Sequence, residues 1–79
     1  MEKPYMLISV CEREIATEQY PTLEAAQARM LYELETFGDV ENPAVGMEED
    51  GEFAIREMSA WSNVKDDMKQ DWLIVHIEH

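Results

Sequence analysis

Basic residues are scarce in this chain: six lysines and arginines stand against eighteen aspartates and glutamates in 79 residues, a net charge of -12. That balance repels phosphate backbones and anionic lipid surfaces, so direct binding to nucleic acid or to a membrane is not expected. Cysteine is scarcer still. Cys11 is the single one, so no internal disulfide can form and the chain reads as one from a reducing compartment, which implies a cytoplasmic location. Long apolar runs are also missing. Met1-Glu2-Lys3-Pro4 leads into Tyr5 to Cys11, a stretch too short for a membrane span and without a small-residue cleavage site, so no export signal is expected.

The residue types that carry chemistry are thinly spread. The three glycines are Gly38, Gly46 and Gly51, and none precedes a helix start as a phosphate cradle requires. No CxxC or HExxH pair exists to hold zinc. Asp66, Asp67 and Asp71, or Glu48, Glu49 and Asp50, could gather a hard cation, yet neither set has the alternating acidic register and terminal glutamate of a calcium loop. Acids on polar loops lack the burial that separates the pKa values of a catalytic pair. Cys11 and His76 both fall on expected strands, but Cys11 reads as a buried small hydrophobe and His76 as a partly exposed sheet residue, while His79 is terminal. The expectation is a chain that is not an enzyme, with no catalytic residue, metal or cofactor.

What is present supports one folded domain over residues 1–79. Apolar residues make up 46% and charged residues 30% of the sequence, a globular balance at a length that allows one modest core. Tyr5 to Cys11 is rich in β-formers and short, as a first strand should be. Glu12-Arg13-Glu14 offers a polar turn, and Ile15 to Tyr20 a weaker returning strand. Pro21-Thr22-Leu23-Glu24 starts a helix, with Thr22 as N-cap and Glu24 at the positive end of the dipole. Leu23, Ala26, Met30, Leu34 and Phe37 recur at helical spacing, so the helix is expected over 23–37 and Gly38 ends it with a left-handed conformation. Asp39 to Gly51 reads as a loop and Glu52 to Trp61 as a strand, with Phe53 and Ile55 opposite Ala54, Arg56 and Met58. A polar connector from Ser62 to Asp71 precedes a last strand from Trp72 to Ile77. The fold class is therefore α+β, with a three- or four-stranded antiparallel or mixed sheet and one helix packed on one face, in the order β-(β)-α-β-β.

That order raises a question of coverage. In the last strand Leu73, Val75 and Ile77 point opposite to Trp72 and Ile74, and in the first strand Met6, Ile8 and Val10 point opposite to Tyr5 and Leu7. Both sheet faces are apolar, and one helix covers only one of them. Either the acidic loop folds back while Trp61 and Trp72 plug the second face, or a second copy of the chain or a different protein covers it.

The remaining signal is the acidic run from Glu33 to Glu57, with nine acids and Arg56 as its single basic residue. It reads either as a solvated, solubilising face or as an imitation of a nucleic-acid backbone that occupies a basic groove. The segment Met58-Ser59-Ala60-Trp61-Ser62-Asn63, with Asp66-Asp67 and Asp71-Trp72-Leu73-Ile74, resembles the C-terminal pattern of small acidic proteins carried by phages and conjugative elements of gut Firmicutes. The resemblance covers the C-terminal third and rests on no catalytic motif. It implies an accessory protein of a mobile element that blocks a host protein, and it carries no functional residues across. The expected function is thus a non-enzymatic interaction protein, either an inhibitor or nucleic-acid mimic acting on a basic nucleic-acid-handling protein or a regulator encoded by a mobile element. Its contacts would be Glu41, Glu48, Glu49, Asp50 and Glu52 for steering, with Tyr5, Trp61 and Trp72 as aromatic anchors. The alternative is a self-associating structural domain, a homodimer through the spare sheet face.

Overall fold

A computed structural model describes residues 3–11, 14–64 and 69–77. The strands are β1 (Tyr5–Cys11), β2 (Glu14–Tyr20), β3 (Glu48–Glu49), β4 (Phe53–Ile55), β5 (Ser59–Ser62) and β6 (Gln70–His76), with one helix, α1 (Leu23–Thr36). All strand pairs are antiparallel, in the spatial order β2-β1-β6-β5-β4-β3. The β1–β2 hairpin forms one side of the sheet. The chain then crosses by α1 to the far edge and returns as a meander whose last strand pairs with β1.

The α+β class with a single helix agrees with expectation, whereas the sheet has six strands and not three or four. Two local causes account for the difference. Residues 52–61 make a hairpin and not one strand: Arg56 N donates to Ser59 O at 2.7 Å, and Ile55 pairs with Ala60. The tight turn moves the core positions from the odd residues Phe53 and Ile55 to the even residues Ala60 and Ser62, so a single period-2 reading loses phase there. The supposed loop from Asp39 to Gly51 contains β3, two glutamates of low β-propensity held by pairing with β4. The β3–β4 turn closes through Glu52 N to Glu49 O at 3.1 Å, with Gly51 at φ 75° in the left-handed position a type II turn asks of its third residue.

α1 begins as its sequence dictates, with the Thr22 hydroxyl accepting from Ala25 N at 3.1 Å. Its stripe Ala26, Met30 and Leu34 is fully buried against Leu7, Ile55, Ala60, Trp72 and Ile74. Phe37 does not belong to that stripe. It is the C-cap residue, still bonded through its N–H to Glu33 O, and is 49% exposed where it borders the cleft under the end of α1.

The end of α1 differs from expectation in its chemistry. The left-handed residue is Asp39, at φ 59°, and not Gly38. Gly38 is needed for space: a Cβ there would stand 2.9 Å from Leu34 O and 3.1 Å from Trp72 Cη2. The last turn contains no basic residue to meet the negative end of the helix dipole. The carbonyls just past its end are met from the sheet instead. Ser62 Oγ donates to Gly38 O at 2.6 Å and Gln70 Nε2 to Phe37 O at 2.7 Å, and both side chains are buried. These bonds explain two polar residues in the core, where an unmet carbonyl would cost about 1–3 kcal/mol.

Candidate functional site: the uncovered face of the sheet

Strand register assigns every sheet residue to a face. Leu7 pairs with Ile74, Ser9 with Trp72, and Trp72 with Ala60, which sets Leu7, Ser9, Trp72, Ile74 and Ala60 under α1. The alternate residues share the other face: Val10 pairs with Ile15, Ile8 with Leu73 and Met6 with Val75. No second layer lies over them among the described residues. Ile15 is 69% exposed, Leu73 48% and Val75 37%, while Met6, Ile8, Val10 and Trp61 are half-buried by their neighbours within the sheet. Apolar side chains from β2, β1, β6 and β5 thus make one continuous surface, larger in kind than the scattered single hydrophobes normal on a monomer.

Of the three expected aromatic anchors, only Trp61 lies on this face, beside Asp71 and Ala54. The Lys69 ammonium stands 5.6 Å from its ring centroid, a cation–π contact. Trp72 is corrected from anchor to core: it is 3% exposed beneath α1, because the alternation of β6 sets it with Ile74 and not with Leu73. For the same reason it does not plug the second face. Tyr5 lies on the helix side, its ring 4.9 Å from that of His76 and packed against the core. The residues that do form the apolar face, Ile15, Leu73 and Val75 foremost, were not among the expected contacts. Their signal was the alternation itself, which marked both faces as apolar.

The expected acidic contacts are all exposed, in two places. Glu48, Glu49, Asp50 and Glu52 gather on the β3–β4 hairpin at one edge of the sheet, Glu48 beside Ala54 on the uncovered face. Glu41 lies elsewhere, in the loop after α1, where with Glu35 and Asp39 it lines an open depression of about 470 Å³. The negative end of the helix dipole adds to that second cluster.

A third feature is a cleft of about 620 Å³ under the end of α1, lined by Ser9, Cys11, Glu33, Phe37, Gln70 and Trp72 among others. Ser9, Glu33, Gln70 and the Trp72 indole among them are engaged by the fold. Glu33 Oε1 accepts from Ser9 Oγ at 2.9 Å and from Trp72 Nε1 at 3.2 Å, and Glu33 Oε2 accepts from Arg29 Nε at 2.8 Å. The bond to Glu33 also raises the already high pKa of Arg29. Gln70 is committed to Phe37 O. The carboxylate therefore ties helix to sheet, and the lining that remains is largely apolar, with the exposed Glu14 carboxylate and the Cys11 thiol as its other polar groups.

The Cys11–His76 pair does not form. Cys11 pairs with Gln70 and His76 with Tyr5, at opposite ends of β1, a separation of roughly 20 Å at the usual rise per strand residue. Among the described residues no three of His, Cys, Asp and Glu come together as metal ligands. Asp66, Asp67 and His79, and the Glu12-Arg13 part of the first turn, lie outside the described residues. Among the described residues no helix is long and apolar enough to cross a membrane. No known protein family matches the chain, and no curated protein or solved structure is similar to it.

Proposed function

We propose that this chain is a non-enzymatic interaction protein that docks on a protein with a basic surface, placing the uncovered sheet face at the centre of the contact and the acidic hairpin at its rim. The observation that carries the reading is the exposure of Ile15, Leu73 and Val75 on one continuous face. An apolar centre with a polar border is the common anatomy of protein interfaces. The charge selects the partner: a net charge of -12 favours encounter with a basic surface and disfavours an acidic one. A basic surface of that kind belongs to proteins that handle nucleic acid, and an accessory protein of a mobile element would act there as an inhibitor.

The test compares proteins captured from a host lysate by three tagged forms: wild type, Leu73→Asp, and a form with Glu48, Glu49, Asp50 and Glu52 all changed to lysine. The expected result is a basic protein held by wild type at low salt, released at high salt, lost with Leu73→Asp and weakened by charge reversal. Displacement of that protein by added DNA or RNA would identify its nucleic-acid groove as the site. Capture that is indifferent to both variants overturns the proposal.

A further inference from the structure

The two edges of the sheet are guarded differently. β3, at one edge, is two residues long and both are glutamates, and short charged edges discourage a further strand. β2, at the other edge, runs for seven residues in continuous register with β1, with no proline, lysine or bulge along it. The register also says which of its backbone groups are free. Ile77 N donates to Pro4 O, so by antiparallel alternation the even-numbered residues of β1 bond to β6 and the odd-numbered ones to β2. Those odd-numbered residues face Glu14, Ala16, Glu18 and Tyr20. The backbone groups of Ile15, Thr17 and Gln19 therefore point outward along an open edge.

We infer that β2 pairs, antiparallel and about a two-fold axis through Thr17, with β2 of a second copy of this chain, joining the two sheets edge to edge. The occupant follows from self-complementarity. Centred on Thr17, the pairing sets Thr17 against Thr17 and Ile15 against Gln19, which uses every outward backbone group in about six hydrogen bonds. On the helix side it sets Ala16 against Glu18 and Glu14 against Tyr20, so no carboxylate directly opposes another. A two-fold interface is the commonest solution for two identical chains. The edge is made of backbone groups and the apolar face of side chains, the two meeting at Ile15, so this pairing does not depend on the docking proposed above; it would double the face on offer. Its salt dependence also runs the other way. Each copy carries a net charge of -12, and added salt screens the repulsion between them.

Sedimentation of the wild-type chain from micromolar to millimolar concentration, at low and high salt, tests the inference. The expected mass is twice the 9.2 kDa of one chain, with a dissociation constant that falls as salt rises. Thr17→Pro removes an amide that the β1–β2 ladder does not use, and proline is tolerated on such an edge. It should leave circular dichroism unchanged and weaken the dimer about tenfold to a hundredfold. The double variant Cys11→Ser, Thr17→Cys gives an independent readout. Hydrogen-bonded antiparallel Cα pairs lie about 5.5 Å apart, within disulfide range, so mild oxidation should give a cross-linked dimer as the main product. A wild type that stays monomeric, a dimer as tight in folded Thr17→Pro as in wild type, or a double variant that does not cross-link would each overturn it.

Discussion

The two faces of the sheet are built from equally apolar strands and serve different ends. Under α1, Leu7, Trp72, Ile74, Ala60 and Ile55 are buried with Ala26, Met30 and Leu34, and the polar atoms among them all have partners. Across the same strands, Ile15, Leu73 and Val75 stand in solvent. The first set supplies the free energy of folding, roughly 25 cal/mol for each Å² of apolar surface removed from water. The second set gains little from folding, and its exposure is what the proposed docking rests on. On the function proposed above, stability and recognition are divided between the two sides of single strands.

The sharpest way to break that comparison is Trp72→Ala. Loss of a fully buried tryptophan should cost about 3–5 kcal/mol, enough to unfold much of the population of a domain this small, and urea denaturation will read it. A loss below about 1 kcal/mol would mean that the helix side is not the core. Gly38→Ala sharpens the same side. With its Cβ set against Leu34 O and Trp72 Cη2, it should destabilise by about 1–3 kcal/mol even though alanine is the better helix former. Equal stability would show that Gly38 serves the chain reversal and not the close approach. Ser62→Ala, which strands the Gly38 carbonyl, should cost a similar 1–3 kcal/mol or so in the same assay. Leu73→Ser, on the open face, should change stability by no more than about 0.5 kcal/mol while weakening partner capture. A loss as large as that of Trp72→Ala would end the division of labour between the faces.

The smallest effect concerns Tyr20, on the helix side at the β2 edge. Its phenol is pushed up to about 12 from the ordinary 10.0, first by burial and then by the hydrogen bond to Glu18. The folded chain therefore holds the proton more tightly than the unfolded one. The stability this contributes is intact below about pH 10 and is lost as pH rises towards 12. Spectrophotometric titration of wild type against Tyr20→Phe should show one late-ionising tyrosine, and Glu18→Gln should bring it earlier. A Tyr20 that ionises with an exposed tyrosine would remove the Glu18 contact.

Much of the fold was legible along the chain. Tyr5 to Cys11 is the first strand as expected, Ile15 to Tyr20 lies within the second, Thr22 caps α1, and the last strand, expected over Trp72 to Ile77, runs from Gln70 to His76. These elements announce themselves through β-propensity, helical spacing and capping chemistry, all of which act between residues close in sequence. β3 and the split between β4 and β5 did not, because two glutamates carry no period and a tight turn resets the phase of alternation. Of the candidate site, the sequence marked two apolar faces and an acidic stretch, but it offered Trp72 and Tyr5 as anchors where the structure has Ile15, Leu73 and Val75 exposed instead.

The sequence by itself determined which residues alternate, where the helix starts, and that two apolar faces share one helix. Only the tertiary structure decided which face the helix covers. That choice rests on contacts distant along the chain: the close approach of Gly38 to Trp72, the bond from the Trp72 indole to Glu33, and the Ser62 and Gln70 side chains that meet the Gly38 and Phe37 carbonyls just past α1. Such contacts have no local signature, because their partners meet only after β6 has been laid between β1 and β5.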